Sequence, residues 1–178
     1  MSAAGRGRSS GWSQTRDATG AFGSIQCLSL PKTVVEQSAA GAKRLGDLYW
    51  DQLERSTLGI LRARGRADEG TEIRLLGRGF ALLRFGPARY ELTRSSVTCR
   101  YPILGGLLTR TPGGSISFTQ TVEGTVEVRS QIDDFYPRLA TRRLRRGWNG
   151  VLYPRIQARL HVALGHRYFA RLRSEAAR

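Results

Sequence analysis

Hydrophobic and polar residues alternate over residues 21–31, AFGSIQCLSLP, and the alternation stops at Pro31, which predicts a first strand. Beyond it the spacing lengthens. Val34, Val35, Ala39, Ala42 and Leu45, then Leu48, Tyr49, Leu53 and Leu58, recur at helical steps. They predict one or two short helices broken near Gly46, with Asp47 as the N-cap of the second. The period then returns to two. Leu58, Ile60, Ile73 and Leu75 flank a turn at Asp68-Glu69-Gly70, and two short strands flank Gly86-Pro87. The stretch SSVTCRYPIL supplies another strand, and Ile116, Phe118, Val126, Val128 and Ser130 flank a turn at Glu123-Gly124.

Helical spacing resumes in Leu152, Ile156, Leu160, Ala163 or Leu164, Tyr168 and Leu172. Pro154 falls in the first turn, where its missing N–H breaks no helical bond. A helix over residues 150–174 would be about 35 Å long at 1.5 Å per residue. Gly165 inside it costs about 1 kcal/mol relative to alanine, which predicts a close approach to the sheet there. The predicted fold is therefore α+β. A curved antiparallel sheet of six to seven strands packs on one long C-terminal helix, with short helices after the first strand.

Composition adds boundaries. Residues 1–20 are rich in Gly, Ser and Arg and have almost nothing to bury, so they are expected to form a disordered leader before a single domain over 21–178. That leader lacks the apolar core of a secretory signal, and mean hydropathy is −0.35, so cytoplasmic placement is expected, with a peripheral membrane position as the variant. Cys27 and Cys99 stand far apart without metal spacing and are expected to be reduced. The net charge is +15, carried by arginine with only two lysines. Residues 138–178 hold eleven arginines against Glu175 alone, whereas residues 51–137 hold twelve bases and ten acids. An anionic partner is expected near the C-terminal segment, although a GC-rich genome also yields arginine-rich chains.

The order of one strand, helices, a run of antiparallel strands and a terminal helix resembles the helix-grip fold of the Bet v 1 and START-like superfamily, which includes polyketide-cyclase-like proteins. SIQCLSLPKTVVEQ stands as the strand entering the helices, and LYPRIQARLHVALGHRYFARL as the gripping helix. The resemblance covers residues 22–174 and rests on order and period, with no signature motif. It implies a cavity between sheet and helix for a lipid-like, polyketide-like or other apolar or amphiphilic molecule. Alternating residues such as Tyr101, Ile103, Phe118, Ile132 and Phe135, facing Leu152, Ile156 and Leu160, would line the cavity or simply form the core. Binding without catalysis is the leading expectation. A cyclase or hydrolase using the same cavity stays open, because fold alone does not decide activity.

Other chemistry recedes on spacing. His161 and His166 are five apart on the helix, and no metal or cofactor is expected. GGLLTRTPGG lacks phosphate-loop spacing and lies between strands, where turns explain it. Asp133 and Asp134 are adjacent on a strand and point to opposite faces, so they are no acid/base pair. The stretch ATRRLRRGWNG leading into the helix offers a second surface. Arg142, Arg143, Arg145, Arg146, Arg155 and Arg159, with Trp148, would contact nucleic acid or an anionic membrane, or else form a solvated face.

Overall fold

The computed structural model describes residues 10–66, 69–138 and 152–177, with side chains of the last segment described from Leu164 onward. The chain is α+β, an open antiparallel sheet with two helices. In chain order the elements are β1 (Ser10–Arg16), β2 (Phe22–Leu30), α1 (Ala39–Ser56), β3 (Leu61–Arg66), β4 (Gly70–Leu75), β5 (Ala81–Phe85), β6 (Arg89–Leu92), β7 (Ser96–Gly105), β8 (Ser115–Glu123), β9 (Thr125–Phe135) and α2 (Leu152–Ala176). The strands run β1-β2-β9-β8-β7-β5-β4-β3 across the sheet, with β6 beside β7.

Among the described residues nine strands form, against six to seven expected. One of them buries little and was not expected, because hydrophobic alternation could not announce it. Ser10–Arg16, expected within a disordered leader, pairs residue for residue with β2 from Ser10↔Leu28 to Arg16↔Phe22, and its Trp12 stays 56% exposed. This strand is held by its backbone ladder. β6 is exposed at all four positions and pairs Arg89↔Arg100 through Leu92↔Val97. β7 changes neighbour along its length, meeting β6 up to Arg100 and β5 from Ile103. Pro102, which has no N–H to donate, lies between the two pairings.

One helix replaces the expected broken pair. Ser38 caps α1, its hydroxyl accepting from the Gly41 N–H at 3.0 Å, and the helix runs through Gly46 without a break. Gly46 is required by packing: a Cβ there would strike the Tyr101 hydroxyl. The β2–α1 connection is pinned from the sheet by buried Gln120 of β8. Its Oε1 accepts from Val34 N at 2.7 Å and Val35 N at 3.1 Å, and its Nε2 donates to Val35 O at 2.8 Å.

The core lies under α1. Tyr49 stacks 4.5 Å from Phe118, Trp50 lies 5.3 Å from Tyr101 and 5.1 Å from Phe85, and Tyr168 of α2 meets Tyr49 and Phe118 at 5.5 and 5.7 Å between ring centroids. The grip expected of a long helix across the sheet reduces to Leu164–Ala176, which packs on α1 and β2 through Leu164, Tyr168, Phe169, Leu172 and Ala176. The Tyr168 hydroxyl donates to Leu45 O at 3.2 Å, tying the two helices. Gly165 sits directly on the Gln26 side chain of β2, the close approach its helical position implied.

Candidate functional site

An open groove of about 410 Å³ runs between α1 and the β3–β4 hairpin. One wall is Asp47, Trp50, Asp51 and Glu54 of α1, the other is Ala63, Gly65 and Thr71, and Tyr101 of β7 reaches it from the core. Helical geometry places the three carboxylates together, because residues 47, 51 and 54 fall four and three apart on one stripe. That stripe borders the buried face of α1, so Trp50, 8% exposed, stands beside the acids with its ring in the core.

Each carboxylate has one neighbour. Asp47 is 2.6 Å from Lys43, Asp51 is 3.6 Å from Arg171 of α2, and Glu54 accepts from Ala63 N at 2.9 Å, which fixes β3 against the helix. Among the described residues no basic side chain lines the groove itself. The acids are not arranged for a metal, since the described residues contain no group of three His, Cys, Asp or Glu placed to hold one.

Two donors at this site are unsatisfied. The indole Nε1 of Trp50 and the hydroxyl of Tyr101 are shut off from bulk water and face one another and Cys99, without a hydrogen bond of good geometry. A buried polar group left unpaired costs about 1–3 kcal/mol, so such atoms call for a reason. Tyr101 lies beside Cys99 and Trp50, and burial, then the Cys99 thiol, raise its pKa far above the ordinary phenol value. It is therefore a phenol that donates, and not a base. Burial likewise pushes the Cys99 thiol up to about 11.

The residues singled out from sequence divide sharply. Tyr101, Ile103, Phe118 and Phe135 are buried in the core, with Ile132 partly buried against it, and of these Tyr101 alone borders the groove. Leu152, Ile156 and Leu160 lie within α2, but their side chains, like those of Arg155 and Arg159, are outside the described residues. Arg142, Arg143, Arg145, Arg146 and Trp148 also fall outside them. His161 has no described side chain and His166 is exposed. Asp133 accepts from Gln131 at 2.7 Å and lies 3.9 Å from Arg100, while Asp134 takes a positive φ of 49°, which fits a strand-end turn. Both cysteines are free thiols. Among the described residues no helix is long and apolar enough to cross a membrane.

Sequence reading missed Asp51 and Glu54 and took Asp47 for a cap. The available signal was three acids at helical spacing flanking a tryptophan, and the presumed break at Gly46 hid it. Neither a protein-family model nor a curated protein matches this chain.

Proposed function

We propose that this chain is a binding domain for a small organic cation, held in the groove between α1 and the β3–β4 hairpin. The observation that carries the reading is the stripe of three carboxylates, Asp47, Asp51 and Glu54, along one wall of the open groove. The acids favour a protonated amine or guanidinium. A volume of about 410 Å³ suits a compact molecule of metabolite size. In this reading the groove's groups attract and hold the ligand without catalysis.

This keeps the functional class expected from the sequence and moves the site. Tyr49, Phe118 and Tyr168 stack directly where sheet and α2 meet, so the ligand is assigned to the open groove, with more polar chemistry than a lipid needs. The helix-grip resemblance is supported by the element order from β2 onward, one helix after the strand and another ending the chain.

The test is a thermal-shift and calorimetric screen of compact amines and guanidines, each beside its uncharged analogue. Cationic members should bind, Asp47→Asn and Asp51→Asn should each weaken them about tenfold (about 1.4 kcal/mol), and the uncharged analogues should fail. Equal binding of charged and uncharged members, or binding indifferent to both substitutions, would overturn the assignment.

A further inference from the structure

Three connections at one end of the sheet carry large apolar side chains into solvent. Leu58, in the turn from α1 to β3, is 91% exposed, and Phe80, before β5, is 86% exposed. Leu76, after β4, is 64% exposed, with Ile60, Leu75 and Leu107 about half exposed around it. The backbone holds these segments side by side. Leu76 N donates to Ile60 O at 2.6 Å, Ala81 lies opposite Arg74 in the β4–β5 register, and Leu107 N donates to Ala81 O at 3.0 Å. The result is one contiguous apolar tip. Leu58 and Leu76 both sit at φ 51°, a left-handed conformation that glycine or asparagine adopts far more readily. Leucine at those two exposed corners costs backbone energy and fills no core.

A collar of arginine surrounds the tip. Arg62 Nε donates to Gly59 O at 3.2 Å and Arg74 Nη1 donates to Gly79 O at 2.6 Å, while the Arg62 and Arg64 side chains lie alongside Gly77. Arg78 is exposed in the β4–β5 turn itself. Glu72 is the acid nearby, and Arg74 and Arg84 pair with it at 2.6 and 3.1 Å. Arg62, Arg64 and Arg78 make no ion pair with any described carboxylate.

We infer that this tip is a membrane-docking surface, in which Leu58, Leu76 and Phe80 enter the acyl boundary of an anionic bilayer while Arg62, Arg64 and Arg78 meet its phosphates. An apolar apex ringed by cations matches the two layers of such a surface, hydrocarbon beneath negative headgroups. Each half supplies what the other lacks. Insertion of a few side chains is weak alone, and surface attraction alone is lost with salt. The surface is separate from the groove, and it stands or falls independently of the ligand proposed there.

The experiment is co-sedimentation of the full chain with vesicles of phosphatidylcholine alone or with about a third phosphatidylglycerol. Wild type should bind the anionic vesicles, less as salt rises, and barely bind the neutral ones. Leu76→Asn/Phe80→Ser should abolish binding with no loss of thermal stability, since neither side chain is buried and asparagine suits the left-handed corner at position 76. Arg64→Gln/Arg78→Gln should weaken it about 25-fold, about fivefold for each charge near the surface. Failure of wild type to bind would overturn the inference. So would full binding by Leu76→Asn/Phe80→Ser, which would assign the membrane contact to another basic surface. Self-association through the tip without vesicle binding would equally refute it.

Discussion

Replacing Gly46 by alanine isolates the contact that joins α1 to the candidate site. In an open helix the change would stabilise by about 1 kcal/mol, because glycine is the weaker helix former. Here the new Cβ would strike the Tyr101 hydroxyl and lie 2.9 Å from its Cε2 and 3.1 Å from Cys99 Sγ. Forcing atoms into packed space costs about 1–3 kcal/mol, so Gly46→Ala should be destabilising on balance, by up to about 2 kcal/mol. Tyr101→Phe should behave in the opposite way. It deletes a buried hydroxyl that has no partner, and stability should hold or rise by about 1 kcal/mol. Combining them should recover part of the Gly46→Ala loss, with a coupling near 1 kcal/mol, since the aromatic ring remains close. Urea unfolding followed by far-ultraviolet circular dichroism, with unchanged slopes, would measure all three variants. A Gly46→Ala protein more stable than wild type, or strictly additive effects, would show that the hydroxyl does not press on the helix.

Gln120 and Cys99 supply two further expectations. Gln120→Leu strands Val34 N, Val35 N and Val35 O inside the protein and should cost about 2–4 kcal/mol by urea unfolding, whereas a loss under 1 kcal/mol would show the connection is held elsewhere. The Cys99 thiol, raised by burial from 9.0 to about 11, ionises first in the unfolded chain, so its contribution is intact below pH 9 and disappears as pH climbs toward 11. Buried Tyr49, Tyr101 and Tyr168 are raised too and add their own losses above pH 10. Cys99→Ala should therefore flatten the decline in urea midpoint between pH 9 and 10, and an unaltered profile would exclude the thiol as its cause.

The hairpin turn at Glu123-Gly124 was legible because the strands on both sides alternate around it, with Val126, Val128 and Ser130 all buried as the pattern required. Leu164, Tyr168 and Leu172 likewise turn inward as their spacing implied. β1 was illegible for the opposite reason: it joins the sheet through main-chain bonds and buries too little to leave a pattern. Gly46 misled because sequence registers its weak helical preference and not the tyrosine hydroxyl above it, which arrives from β7, far along the chain. The groove was hidden although its two walls follow one another in the chain, because the presumed helix break separated the acids that line it. Only their exposure shows that Leu58, Leu76 and Phe80 point away from any core.

β2 lies between β1 and β9 in the sheet, and this has a consequence for how the chain leaves the ribosome. β1 emerges first and can zip onto one side of β2 at once, through a short turn in which Asp17 receives the backbone N–H groups of Thr19 and Ala21. The other side must wait for β9, which starts at Thr125. At about 5–20 residues per second, translation from Leu30 to Thr125 takes several seconds. Throughout that interval the nascent hairpin presents one bare strand edge to solvent or to a chaperone, and the early exposed strand, which adds almost nothing to the core, halves that vulnerability.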